Sequence, residues 1–363
     1  MAPAAVPNHH IHWQPLERLL ETPAAGGTSM PGFDDEFRDI VDYIIKITYR
    51  IWEQKNVGLC LEHYSEVCPV HTLGGLGQTV DEVVQNTVKT LAAFPDRILI
   101  GENVVWSRDG EHGYYTSHRI TSAMTNSGWS EFGPPTGRTA KVTTIADCIC
   151  VGNRIVYEWL MRDNSYLVRQ LGLDELDVAR RLGAAPVTRE FQSWWDEEFA
   201  RVRAAGPPYP AEPGDQSNPD VRHAHRWLDS LFNRRLFGDV WQLYWPNARV
   251  EWPGGRHCVG PRAVAGTLVQ WLAQVPDGRV TCDHIAATRF DERSTDVAIR
   301  WTLAGHFDSR SQPLQALRGL PALLLGSSHL RIVDGRIADE WTVFDEIAFF
   351  ANLFRSRTER EDG

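Results

Sequence analysis

From Phe37 to Trp52, apolar residues recur at intervals of three and four, with Ile40, Ile44, Ile47 and Ile51 on one stripe, which predicts a helix buried along one face. A second helix is predicted over 80–93. Beyond it the pattern changes to runs rich in β-branched and aromatic residues, over 98–106, 114–124, 138–151 and 155–161, with Asp109-Gly110 and Gly152-Asn153 as turns. Helices followed by a run of antiparallel strands define an α+β chain. Residues 174–203 are predicted to form a helical bridge carrying Trp194 and Trp195. Residues 201–219 hold five prolines and two glycines, a composition that sustains neither helix nor sheet and predicts a linker.

The same order of elements then returns, because the chain matches itself at an offset of about 181 residues. Phe94-Pro95-Asp96 aligns with Val275-Pro276-Asp277, and Arg119-Ile120-Thr121 with Arg300-Trp301-Thr302. The run Arg154 to Trp159 aligns with Arg336 to Trp341, and Asp163 with Asp345. Upstream, Leu61-Glu62-His63-Tyr64 aligns with Trp241-Gln242-Leu243-Tyr244, which sets His71 against Glu251. The expected organisation is an N-terminal tail (1–34), a first domain (35–172), the bridge and linker (173–219), a second domain (220–355) and a C-terminal tail (356–363).

Composition narrows the function more than the fold. The chain has 363 residues, 42% of them hydrophobic, so two cores are within reach. Lys plus Arg is 37 against 47 for Asp plus Glu, and the net charge of −10 argues against nucleic acid or an anionic membrane surface as a partner. No apolar run approaches the roughly 20 residues of a bilayer span. The first ten residues lack the features of a secretory signal, and a cytoplasmic protein is expected. The six cysteines form no CxxC pair and read as buried small hydrophobes. His257, His284, His306 and His329 lack ligand spacing, so neither metal nor cofactor is expected, and His9, His10 and His12 read as part of a tail.

Four stretches of the first copy carry a family resemblance: Gly133 to Arg138, Ile155-Val156-Tyr157-Glu158-Trp159, Asp163, and Arg169-Gln170-Leu171-Gly172. They resemble the SnoaL-like polyketide cyclases and ester cyclases of the nuclear-transport-factor-two-like superfamily. The resemblance implies two tandem cones, each a curved antiparallel sheet wrapped by helices around one apolar pocket, packed together as an intramolecular pseudo-dimer, with a further homodimer optional. It also implies a small-molecule ligand. The superfamily includes aldol-type cyclases, isomerases, dehydratases, epoxide hydrolases and simple binders, so fold alone does not choose the chemistry. On the late strand, cyclases similar to this chain carry His, Trp and then an acid/base Asp. Here the corresponding segments are Glu158-Trp159-Leu160 and Glu340-Trp341-Thr342, which lack the aspartate. Residues two apart on a strand share a face, so Glu158 and Glu340 are its natural replacements.

A carboxyl group inside an apolar cone has its pKa raised toward the working pH of a general acid or base. Glu340 and Glu158 are therefore the proton-transfer candidates, against a plain structural hydrogen bond at the rim. His306 is expected to share a wall with Arg300 and Thr302 by strand parity. His329 and Asp147, aligned across the repeat, are expected beside the neighbouring glutamate, where a His–Glu pair would shuttle protons. Arg300 or Arg119 would stabilise enolate charge. His118, Trp301, Glu251 and His71 complete the candidate binding set. Asp163 and Asp345 read instead as helix N-caps. The expected function is cofactor-independent acid–base chemistry of lyase, isomerase or cyclase type on a small apolar carbonyl compound. The alternative is a non-catalytic small-molecule-binding or scaffolding protein.

Overall fold

The computed structural model describes residues 30–111, 113–205 and 213–362. Helix α1 (Ile40–Thr48) starts where the Asp39 carboxylate accepts from the Asp42 backbone N–H at 2.8 Å, and its isoleucines are buried. Past Thr48 the last turn widens into a π-helical turn over Tyr49–Glu53. Helix α2 (Val80–Ala93) opens with a capping box formed by Thr79 and Glu82. Around these helices lie strands β1 (Val67–Thr72), β2 (Gly75–Thr79), β3 (Ile98–Asp109), β4 (Gly113–Thr125), β5 (Thr139–Val151) and β6 (Arg154–Arg162). Helix α3 (Asn164–Gln170) closes the first domain, and α4 (Glu175–Gly183) and α5 (Arg189–Ala204) form the bridge. Residues 201–203, where the expected bridge and linker overlap, are helical together with Ala204 at the end of α5, and residues 206–212 lie outside the described residues. The tail histidines His9, His10 and His12 lie outside them too.

The second domain repeats the plan with α6 (Pro219–Leu228), β7 (Tyr244–Trp252), β8 (Arg256–Val259), α7 (Pro261–Leu272), β9 (Arg279–Arg289), β10 (Ser294–His306), β11 (Pro321–Val333), β12 (Arg336–Phe344) and α8 (Glu346–Asp362). The two sheets have equivalent strand orders, β2-β1-β6-β5-β4-β3 and β8-β7-β12-β11-β10-β9. Each is mixed rather than wholly antiparallel, since β1 runs parallel to β6 and β7 parallel to β12. The reason is the intervening helix and three-strand meander, which bring the chain back beside the first strand in its original direction. Met30 and Phe33, expected in a tail, are buried in the first core, and the expected C-terminal tail continues α8. The six cysteines are unbridged and five are buried. Among the described residues no helix is long and apolar enough to cross a membrane.

Strand alternation gives each sheet two faces with different fates. One face looks into its own cone; the other packs on the opposite domain, so the sheets stand back to back. At this contact Arg119 of β4 lies over the Trp341 ring at 3.9 Å, and Arg300 of β10 over the Trp159 ring at 3.6 Å. The two pairs are exchanged by the internal repeat, as an isologous interface requires. Around them Asn103 donates to Asp296 at 2.8 Å, Arg331 holds the same Asp296 with two hydrogen bonds, and Ser117 meets His329 at 2.8 Å. Tyr115 donates to Asp147 at 2.5 Å and stacks on the His284 ring. The Arg300 guanidinium lies 3.9 Å from that carboxylate. Arg300→Ala is expected to cost about 3 kcal/mol in urea unfolding, because it removes a desolvated cation–π contact and leaves Asp147 without its neutralising charge. Arg300→Ala combined with Asp147→Asn is expected to cost less than the sum of the single changes.

Candidate functional site

The interiors of the two cones differ. In the second, Trp227, Phe232, Trp252, Trp271, Trp301 and Phe344 are buried together, with ring centroids 4.9–6.4 Å apart among their contacts. Gly326 lies opposite Trp301 on the next strand, and a Cβ there would meet the indole at 2.3 Å. The positions aligned with Trp252, Trp271, Trp301, Phe344 and Gly326 in the first domain are Thr72, Thr90, Ile120, Arg162 and Thr144. All five line a cavity of about 840 Å³. Four rings that fill one cone are thus absent from the other, and the space they leave is the cavity.

Glu158 faces this cavity from β6, sharing the interior face with Leu160 and Arg162. The Tyr64 hydroxyl donates to its Oε2 at 3.3 Å. Burial pushes its carboxyl from 4.5 up to about 6, against the opposing pull of Arg162 and the Tyr64 hydrogen bond. His118, on β4, lines the same cavity. Burial, aided by the adjacent Arg119 charge, holds its imidazole down at about 3, and its Nε2 has no hydrogen-bond partner. It is therefore a neutral ring able to accept or donate one hydrogen bond to a guest. By strand register Glu158 and His118 stand two strands apart, about 10 Å laterally, a span for a ligand rather than a direct contact. Asp345 of the second domain reaches the cavity wall too, accepting from the Asn164 amide at 2.5 Å and from the Ala348 N–H at 3.0 Å. Its carboxyl is pushed up to about 7 by burial.

Glu340 repeats the Tyr–Glu pairing without the space. Tyr244 donates to it at 2.5 Å, Trp252 at 2.6 Å and Thr342 at 2.7 Å, and it is 1% exposed. Three donors thus enclose this carboxyl and indoles fill the cone around it, so Glu340, expected to move a proton, does not border the cavity that Glu158 borders. Strand parity corrects a second group. Arg119, Arg300, His329 and Asp147 face the contact between the sheets, not a pocket, and Asp147 and His329 lie beside Trp159 and Trp341 in register, with the glutamates turned the other way. Thr302 donates to Asp283 at 2.5 Å on the same outer face. His306 ends β10 on the surface, paired with Asp277 at 2.8 Å. Trp301 is core. Glu251 is exposed on β7. His71 stacks on Tyr157 and packs against Trp194 of α5, again outside the cone. Asp163 caps α3, accepting from the Tyr166 N–H at 3.0 Å. Among the described residues no three His, Cys, Asp or Glu side chains are grouped so as to hold a metal ion.

The cavity residues missed in the sequence are Tyr64, Arg97 and Arg162. For Arg162 the repeat carried a signal, since its aligned residue is the ring of Phe344, whereas Tyr64 aligns with another tyrosine, Tyr244, and Arg97 with Gly278, so the repeat does not mark them.

Residues 222–353 match the family model of the SnoaL-like polyketide cyclases. The second domain is accordingly SnoaL-like, with the nuclear-transport-factor-two-like fold, and the first shares its strand order. The match supports a cyclase- or isomerase-type function at the level of that family only. Among solved structures, the chain is similar to one named as a polyketide cyclase from Acidithiobacillus ferrooxidans (18% identity, 36% of this chain and 93% of that one, TM-score 0.32). It is also similar to IdmH, named as a polyketide cyclase from Streptomyces antibioticus (21% identity, 36% and 97%, TM-score 0.31), and to TsrD from Streptomyces laurentii (14% identity, 36% and 94%, TM-score 0.32). No curated protein matches the chain.

Burial of Glu158 carries a stability signature. Because folding raises its pKa from 4.5 to about 6, the ionised carboxylate opposes folding. Its contribution is neutral below the lower value and becomes unfavourable as pH rises through the window, reaching about 2 kcal/mol above it. Glu158→Gln is therefore expected to be more stable than the wild type by up to about 2 kcal/mol near neutral pH and to converge with it in acid. Denaturant unfolding across that pH range measures the difference.

Proposed function

We propose that the first cone is the working site of a cofactor-independent acid–base enzyme of lyase, isomerase or cyclase type, acting on an apolar carbonyl compound. The second cone is its structural support. The observation that carries this reading is the contrast between two aligned glutamates: Glu158 borders open space, whereas Glu340 is enclosed by Tyr244, Trp252 and Thr342.

In this reading the Glu158 carboxylate removes a proton from the carbon beside the carbonyl and returns it at a second position. A carboxyl held near 6 is poised for both directions close to neutral pH. Tyr64 orients the carboxylate through its hydroxyl, and the low-polarity walls, Ile44, Ile47, Leu160 and Phe94 among them, keep water from competing for the enolate. His118, neutral and with an unused Nε2, supplies hydrogen-bond capacity for the carbonyl oxygen as charge develops on it. Leu160, apolar at the position where the family carries an aspartate, favours the second reading, a carrier that binds the same class of molecule and leaves it unchanged.

Proton exchange separates the two. With benzoylacetone in heavy water, followed by NMR, the wild type is expected to accelerate α-hydrogen exchange, with the rate falling as pH drops through about 6. Glu158→Gln is expected to lose at least about 100-fold of that acceleration while staying folded. Wild-type exchange in Glu158→Gln would sink the assignment, and saturable binding without exchange supports the carrier. Ile120→Trp combined with Thr144→Gly, which together import the Trp301–Gly326 pair of the filled cone, is expected to abolish binding of the diketone without unfolding the protein, as measured by calorimetry alongside thermal melting.

A further inference from the structure

Two guanidinium groups on the wall of the first cone have no carboxylate within 4.0 Å among the described residues. Arg97 is 5% exposed. Its Nε and Nη2 both donate to the Ser122 hydroxyl, at 3.3 and 3.1 Å, and its guanidinium lies over the Trp52 ring at 4.5 Å. The remaining Nη1 donates to no protein group. Arg162, on the interior face of β6, has a buried Nε without an acceptor. Burial, reinforced by the charge of Arg162, pulls the Arg97 guanidinium down to about 9. Two cations in each other's field within a low-dielectric wall weigh against folding unless something opposes them. The serine hydroxyl and the indole answer part of the Arg97 charge, and the carboxyl groups of Glu131, Glu158 and Asp345, all in the field of Arg162 but beyond ion-pair distance, answer part of the other.

We propose that Arg97 and Arg162 form an anion subsite that receives a carboxylate carried by the apolar ligand of the first cone. The inference rests on the reading of that cone as the ligand site and adds the ligand's class: an acid, not a neutral carbonyl compound. Fixed bidentate donors on two guanidinium groups match the geometry of a carboxylate. A monoanion suits the site better than a phosphate, because the acidic side chains of Glu131 and Asp345 also lie in the field of Arg162. Arg162 and Glu158 share one face of β6 four residues apart, about 13 Å along the strand. The carboxylate would therefore sit at one end of an elongated guest, with the carbon that meets Glu158 near the other. The cavity of about 840 Å³ accommodates a fused-ring molecule of that length.

Binding tests this without any turnover. The full chain is titrated by calorimetry in mildly acidic buffer with naphthoate and with naphthamide, which differ in charge and little in shape. The wild type is expected to prefer naphthoate by about tenfold or more, and Arg97→Gln to erase that preference while keeping its affinity for naphthamide within about twofold. Arg97→Lys is expected to retain part of the preference, since charge survives and the bidentate fork does not. Should Arg97→Gln fail to fold, Arg162→Gln carries the same comparison: loss of the preference supports the subsite and its persistence overturns it. Equal wild-type affinity for the two probes overturns the anion subsite and leaves the cone as a ligand site. Binding of neither overturns both readings.

Discussion

The back-to-back contact of the two sheets, pinned by an arginine of each domain on a tryptophan of the other, is the constraint on which the rest of the molecule depends. A guanidinium is costly to bury, and here each is set against an indole face with nearby carboxylates, Asp147 and Asp283 for Arg300, Glu102 and Asp296 for Arg119. Once one face of each sheet is committed to this contact, strand alternation leaves only the other face for the cone. Charged residues on the long strands are thereby sorted by parity: Arg119, Asp147, Arg300 and His329 go to the contact, and His118, Glu158 and Arg162 to the cavity.

Duplication allowed the two interiors to diverge. A cone must either be filled or accept solvent and guests, because a void between packed side chains forfeits their contacts. The second cone is filled by aromatic rings, and its glutamate, gripped by three donors, serves that packing. The first keeps Thr72, Thr90, Ile120 and Thr144 at the matching positions and pairs its glutamate with Tyr64 alone. The filled cone also contributes directly to the open one, since Asp345 sits at the start of α8 and on the wall of the first cavity. The family model matches the filled copy, so the sequence likeness and the open cavity reside in different halves of the chain.

Much of the fold was legible because it depends on local period and on repetition. The helix over 80–93 and the strands of the first meander follow from 3.6- and two-residue spacing, and the duplication from aligned pairs such as Arg119/Arg300 and Glu158/Glu340. The parallel placement of β1 beside β6 was not legible, since it is a long-range pairing without a local signature. Nor was the fate of the outward arginines. A period of two shows that Arg300, Thr302 and His306 share a face, and it is silent on whether that face meets a ligand, solvent or a second sheet.

By itself, then, the sequence determined two copies of an α+β cone, the shared face of residues two apart on a strand, and the two glutamates aligned on the late strands. Local sterics and hydrophobic period suffice for these, since they act between residues close along the chain. Only the tertiary structure decided which cone is open, which glutamate is free and which arginines border a cavity. Those outcomes depend on the volumes of side chains brought together from strands and helices far apart in sequence, where a tryptophan in place of an isoleucine at one aligned position closes a space that no local pattern records.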